Sequence, residues 1–270
     1  MKRSHIIICL FAGACGLASA GTGWGTTIDD NYKGGIYTLI DEPQPPYDDI
    51  PTLYSESRDI ISGGAPYDIQ KMVVNIGTTI TTIDVYTNYI NKVAFDENIE
   101  YGDLFLSNNG WNPYGDTTED YYGNGEFWEF ALVLANHSGT ATEGIASLYA
   151  ITSTSEYILA ENTGSSVYRA GQEVQFNTFY YDTQSETLLA KTPLATGSWS
   201  VFSDGSGTGL HFTIGTSLLN LGTDDLGLRW AMTCANDIIE GSTPVPEPVT
   251  MLLFGTGLGG LAGIGRRKRK

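Results

Sequence analysis

The segment from Leu226 to Cys234 constrains this chain more than any other. Leu226, Leu228, Trp230, Met232 and Cys234 alternate with Gly227, Arg229, Ala231 and Thr233. Successive side chains of a strand point to opposite faces, so this period of two gathers the first set on one apolar face, with Cys234 beside Trp230. Leu210, Phe212 and Ile214 alternate in the same way with His211 and Thr213. Trp128, Phe130, Leu132 and Leu134 alternate with Glu129, Ala131 and Val133, which predicts a second strongly apolar face. Strands are expected over 72–76, 79–86, 103–106, 127–134, 145–151, 174–181, 199–202, 210–214 and 226–233, with Gly, Asn, Asp and Ser clusters between them. Thr, Tyr, Gly and Ser are plentiful, and long runs of period 3.6 are nearly lacking. The expectation is an all-β fold, an antiparallel β-sandwich or jelly roll. Asp204-Gly205-Ser206-Gly207 has the turn chemistry of a hairpin between the strands around Phe202 and Leu210.

The two ends of the chain have a different character. Met1-Lys2-Arg3 is basic, residues 6–17 are apolar or small, and Ala18-Ser19-Ala20 offers a small-residue cleavage site before Gly21. Residues 1–20 therefore read as a signal peptide cut between Ala20 and Gly21 by signal peptidase. A lipoprotein signal using Cys15 is the alternative, but leucine is missing three positions before that cysteine. At the other end, 249–265 holds no charged residue and is followed by Arg266, Arg267, Lys268, Arg269 and Lys270. Its length is at the short end of what crosses a bilayer as a helix, and the basic cluster acts as a stop-transfer tail on the cytoplasmic side. Both basic ends then face the cytoplasm, and the residues between them are exported.

Val245-Pro246-Glu247-Pro248, the short glycine-rich span and the terminal Arg/Lys cluster together resemble the PEP-CTERM sorting signal of Gram-negative bacteria that make exopolysaccharide. The resemblance implies recognition of Val245, Pro246, Glu247 and Pro248 by an exosortase, a membrane-embedded enzyme that removes the tail. The inner membrane would then be a transient partner, with exopolysaccharide as the surrounding matrix. A GPI signal fits less well, because its hydrophobic tail ends without a basic cluster. Residues 102–111, 127–134 and 228–241 resemble more loosely the domains of exosortase-dependent surface proteins, a family likeness that brings no catalytic residues with it. The expected layout is a signal peptide (1–20), an N-terminal extension that joins the sandwich or loops beside it (21–70), a β-sandwich (71–240), a Pro-rich linker (241–248), a transmembrane helix (249–265) and a basic tail (266–270).

With the ends removed, residues 21–245 carry seven basic and 30 acidic side chains, a net charge of −23. Such a surface disfavours nucleic acid and anionic lipid as partners and favours cations. Cys234 is the one cysteine left between these ends, so no disulfide forms within the mature chain.

Chemistry has few anchors. Residues 108–126 form the densest polar and aromatic stretch, between two expected strands. Asp116, Glu119, Asp120, Asn124 and Glu126 offer hard oxygen ligands for calcium, the one cofactor to be weighed. An EF-hand register from Asp120 fails, because position twelve is Ala131. Trp111, Tyr114, Tyr121 and Tyr122 offer rings for stacking on sugars. His137 and His211 are the two histidines of the exported part, and His211 alternates out of the core. Gly-x-Ser-x-Gly, His-Glu-x-x-His and a phosphate loop are all missing. With 30 acidic residues, a glycosidase-like carboxylate pair is uninformative. Asn236 and Asp237 end the last expected strand and read as turn residues, with metal binding or processing as the sharper alternative. The sequence thus points to a non-enzymatic, exported surface or matrix protein, structural or adhesive. A calcium-assisted carbohydrate-binding module is the alternative, and a secreted polysaccharide hydrolase comes third.

Overall fold

The computed structural model describes residues 24–30, 60, 64–90, 99–113, 126–160, 167–169, 171–182, 184–222 and 224–245. In chain order its strands are β1 (Trp24–Asp29), β2 (Ile69–Ile76), β3 (Ile80–Thr87), β4 (Leu104–Ser107), β5 (Phe130–Leu134), β6 (Glu143–Ala150) and β7 (Tyr157–Leu159). The series continues with β8 (Glu173–Phe176), β9 (Phe179–Asp182), β10 (Thr187–Ala190), β11 (Ala195–Asp204), β12 (Gly207–Gly215), β13 (Leu226–Ala231) and β14 (Ile238–Thr243). Ten of them form one antiparallel sheet in the order β1-β2-β3-β12-β11-β6-β5-β4-β13-β14. The all-β, antiparallel class read from the sequence is the class observed.

One face of every strand in that sheet feeds the same core. Ile28, Val74, Ile83, Phe212, Trp199, Leu148, Leu132, Leu104, Trp230 and Ile239 come one from each strand. A sheet can bury one face of ten strands in one core only by curling around it. Its edge strands, β1 and β14, accordingly approach within 8 Å between Cα atoms, although no ladder joins them among the described residues. Gly241 makes that approach sterically feasible, since a Cβ there would stand 2.7 Å from Ile28 Cγ2. The result is a barrel-like wrap with a seam between β1 and β14. A file of rings runs through the interior, with centroid separations of 5.9 Å for Tyr67–Tyr89, 6.2 Å for Tyr89–Tyr101 and 5.7 Å for Tyr101–Trp199. The polar tips are not orphaned: Tyr89 donates to Ile99 O (2.7 Å) and Tyr101 to Gly139 O (3.0 Å).

Two short antiparallel pairs, β7–β8 and β9–β10, stand apart from the main sheet. A second apolar cluster, Phe105, Trp128, Ala131, Val133 and Phe176, joins β8 to the outer face of β4 and β5. This second layer explains why Arg229 and Ala231, on the β13 face opposite Trp230, are as buried as the core residues.

Several boundaries differ from the sequence reading. The run 174–181 breaks at Asn177, whose backbone N–H goes to Glu156 O and whose side chain accepts from Phe179 N, giving β8 and β9. In 127–134 the strand starts at Phe130, so Trp128 packs in the outer cluster and not on the face of Leu132 and Leu134. β1, β7, β10 and β14 lie outside every expected strand. Residues 24–29 and 69–70, within the expected N-terminal extension, belong to the main sheet, and Gly241 to Thr243, expected in the linker, are the end of β14. The hairpin at 204–207 forms as expected: Asp204 pairs with Gly207, and its Oδ1 accepts from Ser206 N (2.7 Å) and Gly207 N (3.0 Å). The signal peptide, the Pro-rich stretch 41–49, the span 249–265 and the tail 266–270 lie outside the described residues.

Candidate functional site

The strand registers fix where the chain leaves the barrel. Thr243 pairs with Leu226, Gly227 with Ser107, Leu106 with Phe130 and Phe130 with Ala150. Continuing around, Leu148 pairs with Ala195, Gly215 with Ile80, Thr81 with Ile76 and Ile76 with Trp24. The start of β1, the end of β14 and both roots of the 108–129 connection therefore share one end of the barrel. β14 is buried along its length, and Val245 still packs against the core. Val245, a sorting residue read from the sequence, thus belongs partly to the domain. Pro246, Glu247, Pro248 and the basic tail Arg266 to Lys270 lie outside the described residues, as do Ala20 and Gly21.

The root of the polar–aromatic stretch is tied down by side chains. Trp111 Nε1 donates to Glu240 Oε2 at 3.0 Å, and its ring packs against the outer apolar cluster. The indole proposed for sugar stacking is therefore engaged within the domain. Glu240 also pairs with the fully buried Arg229, which donates to Gln172 Oε1 (2.8 Å) and Glu173 O (3.2 Å) and lies 3.6 Å from the Glu173 carboxylate. Glu126 is buried and accepts from Asn112 N at 2.7 Å. Burial pushes its carboxyl up to about 7, assisted by the charge of Glu129, while hydrogen bonds from Asn112 and Ser107 oppose the rise. Of the calcium candidates this is the one described. Asp116, Glu119, Asp120 and Asn124 lie outside the described residues, as do Tyr114, Tyr121 and Tyr122. Among the described residues, no group of three or more His, Cys, Asp or Glu side chains is placed to hold a metal ion.

A fully buried carboxylate with three partners is one that sequence reasoning passed over. Asp103 is fully buried; its Oδ1 accepts from Leu134 N (3.0 Å) and pairs with His137 Nε2 (2.7 Å), while Oδ2 accepts from Phe176 N (2.8 Å). It thereby clamps β4, β5 and β8 together. Burial tends to lower the His137 pKa, but the hydrogen bond and charge of Asp103, with Glu100, outweigh it and raise the value. The available signal was a lone acid opening the apolar run Leu104-Phe105-Leu106, a position that needs internal donors.

Asp237 has a similar role: Oδ2 accepts from Ile69 N (2.6 Å) and Oδ1 from Ile238 N (2.9 Å), all buried. Asn236 donates to Val167 O at 3.0 Å. Cys234 is buried on the Trp230 face, as the alternation implied. His211 stays partly exposed and pairs with Asp84 at 2.5 Å.

A family model described as the PEP-CTERM protein-sorting motif matches residues 244–270, from the first residue after β14 to the last residue of the sequence. Neither the curated proteins nor the solved structures give a match to this chain. Among the described residues no helix is long and apolar enough to cross a membrane; the span read from the sequence falls elsewhere. The chain therefore ends in a PEP-CTERM sorting signal and is, by that signal, an exported protein sorted by an exosortase.

Proposed function

We infer that the barrel is a structural or adhesive component of the cell surface or extracellular matrix, held briefly at the inner membrane before its tail is removed. The observation that carries this reading is the junction between fold and signal. The motif starts at Pro244, directly after β14, and Val245 is packed on the core. Val249 lies four positions beyond Val245, a reach of about 14 Å at most. The headgroup layer on each side of a bilayer is about 5–8 Å thick. While 249–265 is inserted, the barrel end that carries β14 and the roots of the 108–129 connection sits against the membrane surface. Cleavage frees an acidic domain, with few available cations, from that surface.

Replacing Glu247 with alanine tests the reading. A longer, membrane-bound precursor should accumulate, and the surface fraction should be depleted. Normal maturation of the variant contradicts it. A saccharide-binding role is the second reading, favoured by a groove on the flank of the barrel.

A further inference from the structure

Between the outer faces of β5 and β6 and the β7–β8 pair lies an open groove of about 450 Å³. Ser147 and Tyr149 line it from β6, Gln175 from β8, Phe179 from β9, and Asn177 and His137 from the connections. A second groove of about 430 Å³ shares Tyr149 with the first and is lined by Tyr180. Phe179 and Tyr180 are neighbours on β9, so their rings face opposite sides of that strand. The hairpin thus presents one aromatic side chain to each groove.

The lining restricts the ligand in four ways. Its hydrogen-bonding capacity is unspent. Among the described residues the side chains of Ser147, Tyr149 and Gln175 make no hydrogen bond within the protein, and Asn177 uses only its oxygen, for Phe179 N, leaving its amide donors free. No Asp, Glu, Lys or Arg lines the first groove, although the chain carries 31 acidic and 14 basic side chains. His137 turns one ring nitrogen to Asp103. An uncharged ligand fits such a wall better than an ion.

Ring faces are also on offer. Phe179 is 47% exposed, and Tyr149 stands beside Phe176 with centroids 5.5 Å apart. Finally, most of the backbone around the groove is already bonded within the fold. β5 and β6 are inner strands of the sheet; Phe176 N is taken by Asp103, Val174 O by Asp103 N, and Asn177 N by Glu156 O. Of the strands around the groove, only β7 and β9, each in a two-stranded pair, keep an unpaired edge, so recognition rests mainly on side-chain amides, hydroxyls and rings.

We propose that this groove binds a neutral saccharide chain, with the Phe179 and Tyr149 rings against sugar faces and Gln175, Asn177 and Ser147 bonded to sugar hydroxyls. The site is separate from the polar–aromatic stretch around Trp111. It supplies a ligand for the adhesive reading above and rests on it, since the domain must be exported to meet a polysaccharide.

The test is affinity electrophoresis of the exported protein in gels containing a β-1,4-glucan, a β-1,3-glucan, a mannan or a dextran, with alginate as the anionic comparison. Retardation by at least one neutral polymer is expected. Phe179→Ala and Gln175→Ala should each weaken it about tenfold. Both should leave the melting temperature unchanged, because one ring is exposed and the other side chain bonds nothing within the domain. Binding to alginate alone, to no polymer, or undiminished from the parent in both variants overturns the proposal. Surface fractionation of the same cultures separates the two claims. Surface protein that binds no neutral glycan removes the groove and leaves the sorting account, whereas protein that binds but never reaches the surface does the reverse.

Discussion

Replacing Asp103 with asparagine takes one acceptor oxygen from a group that serves three donors. The carboxylate accepts from Leu134 N and pairs with His137 through Oδ1, and accepts from Phe176 N through Oδ2. In either orientation an asparagine amide turns its NH2 toward a buried backbone N–H, so a donor meets a donor. A hydrogen bond to a charged group contributes about 1.5–3 kcal/mol, and an unsatisfied buried donor costs about 1–3 kcal/mol. The variant should lose about 3–5 kcal/mol, because a water molecule or a small shift relieves part of the sum.

The loss should also depend on pH. The folded His137 pKa lies above its usual value of 6.5, so its contribution is complete below pH 6.5 and fades as pH rises through the folded value. The penalty should therefore be larger at pH 6 than at pH 9. Urea unfolding followed by tryptophan fluorescence at both values measures it. A loss below about 1 kcal/mol, or one that is the same at both pH values, would refute the clamp.

Other substitutions probe separate parts of the fold. The Glu126 carboxyl is raised to about 7 from 4.5, so the stability it contributes is present below pH 4.5 and lost as pH rises through 7. Glu126→Gln keeps an oxygen for Asn112 N and should be about 2–3 kcal/mol more stable than the parent at pH 8 but similar at pH 4.5; parallel stability–pH curves would count against this. Arg229→Ala strands Glu240 and Glu173 without their cation and should cost about 3–5 kcal/mol in a denaturant titration, with Arg229→Met costing less. Asp237→Ala should lower stability by about 2–3 kcal/mol through its lost bonds to Ile69 N and Ile238 N. Unchanged melting with a selective loss of ion binding would instead return Asp237 to a metal role.

The fold was legible wherever one face of a strand was apolar and the other polar. Leu210, Phe212 and Ile214 follow that rule, and so do Leu226, Leu228 and Trp230 of β13, with Met232 and Cys234 just beyond its end. Two of the four strands that sequence reasoning missed, β10 and β14, lack that contrast. β10, Thr-Leu-Leu-Ala, is exposed throughout, and β14, Ile-Ile-Glu-Gly-Ser-Thr, is buried mainly on both sides, with Ile239 in the main core and Ile238 and Glu240 under the outer layer. Arg229 and Glu240 showed that an apparently polar face can be interior once a second layer covers it. The sorting signal was readable because its determinants are local: proline, glutamate, proline, a short apolar run and a basic end. The groove was not, since Ser147, Gln175 and Phe179 meet only through tertiary packing.

The central claim is that the strongest motif in this sequence is spent on delivery and removed from the delivered protein. Intact-mass analysis of the C-terminus, on surface and inner-membrane fractions of the same cells, addresses it directly. The expected surface form ends near Val245 to Pro248 and lacks Arg266 to Lys270. A full-length C-terminus, with those five basic residues retained in the inner membrane, would contradict the account.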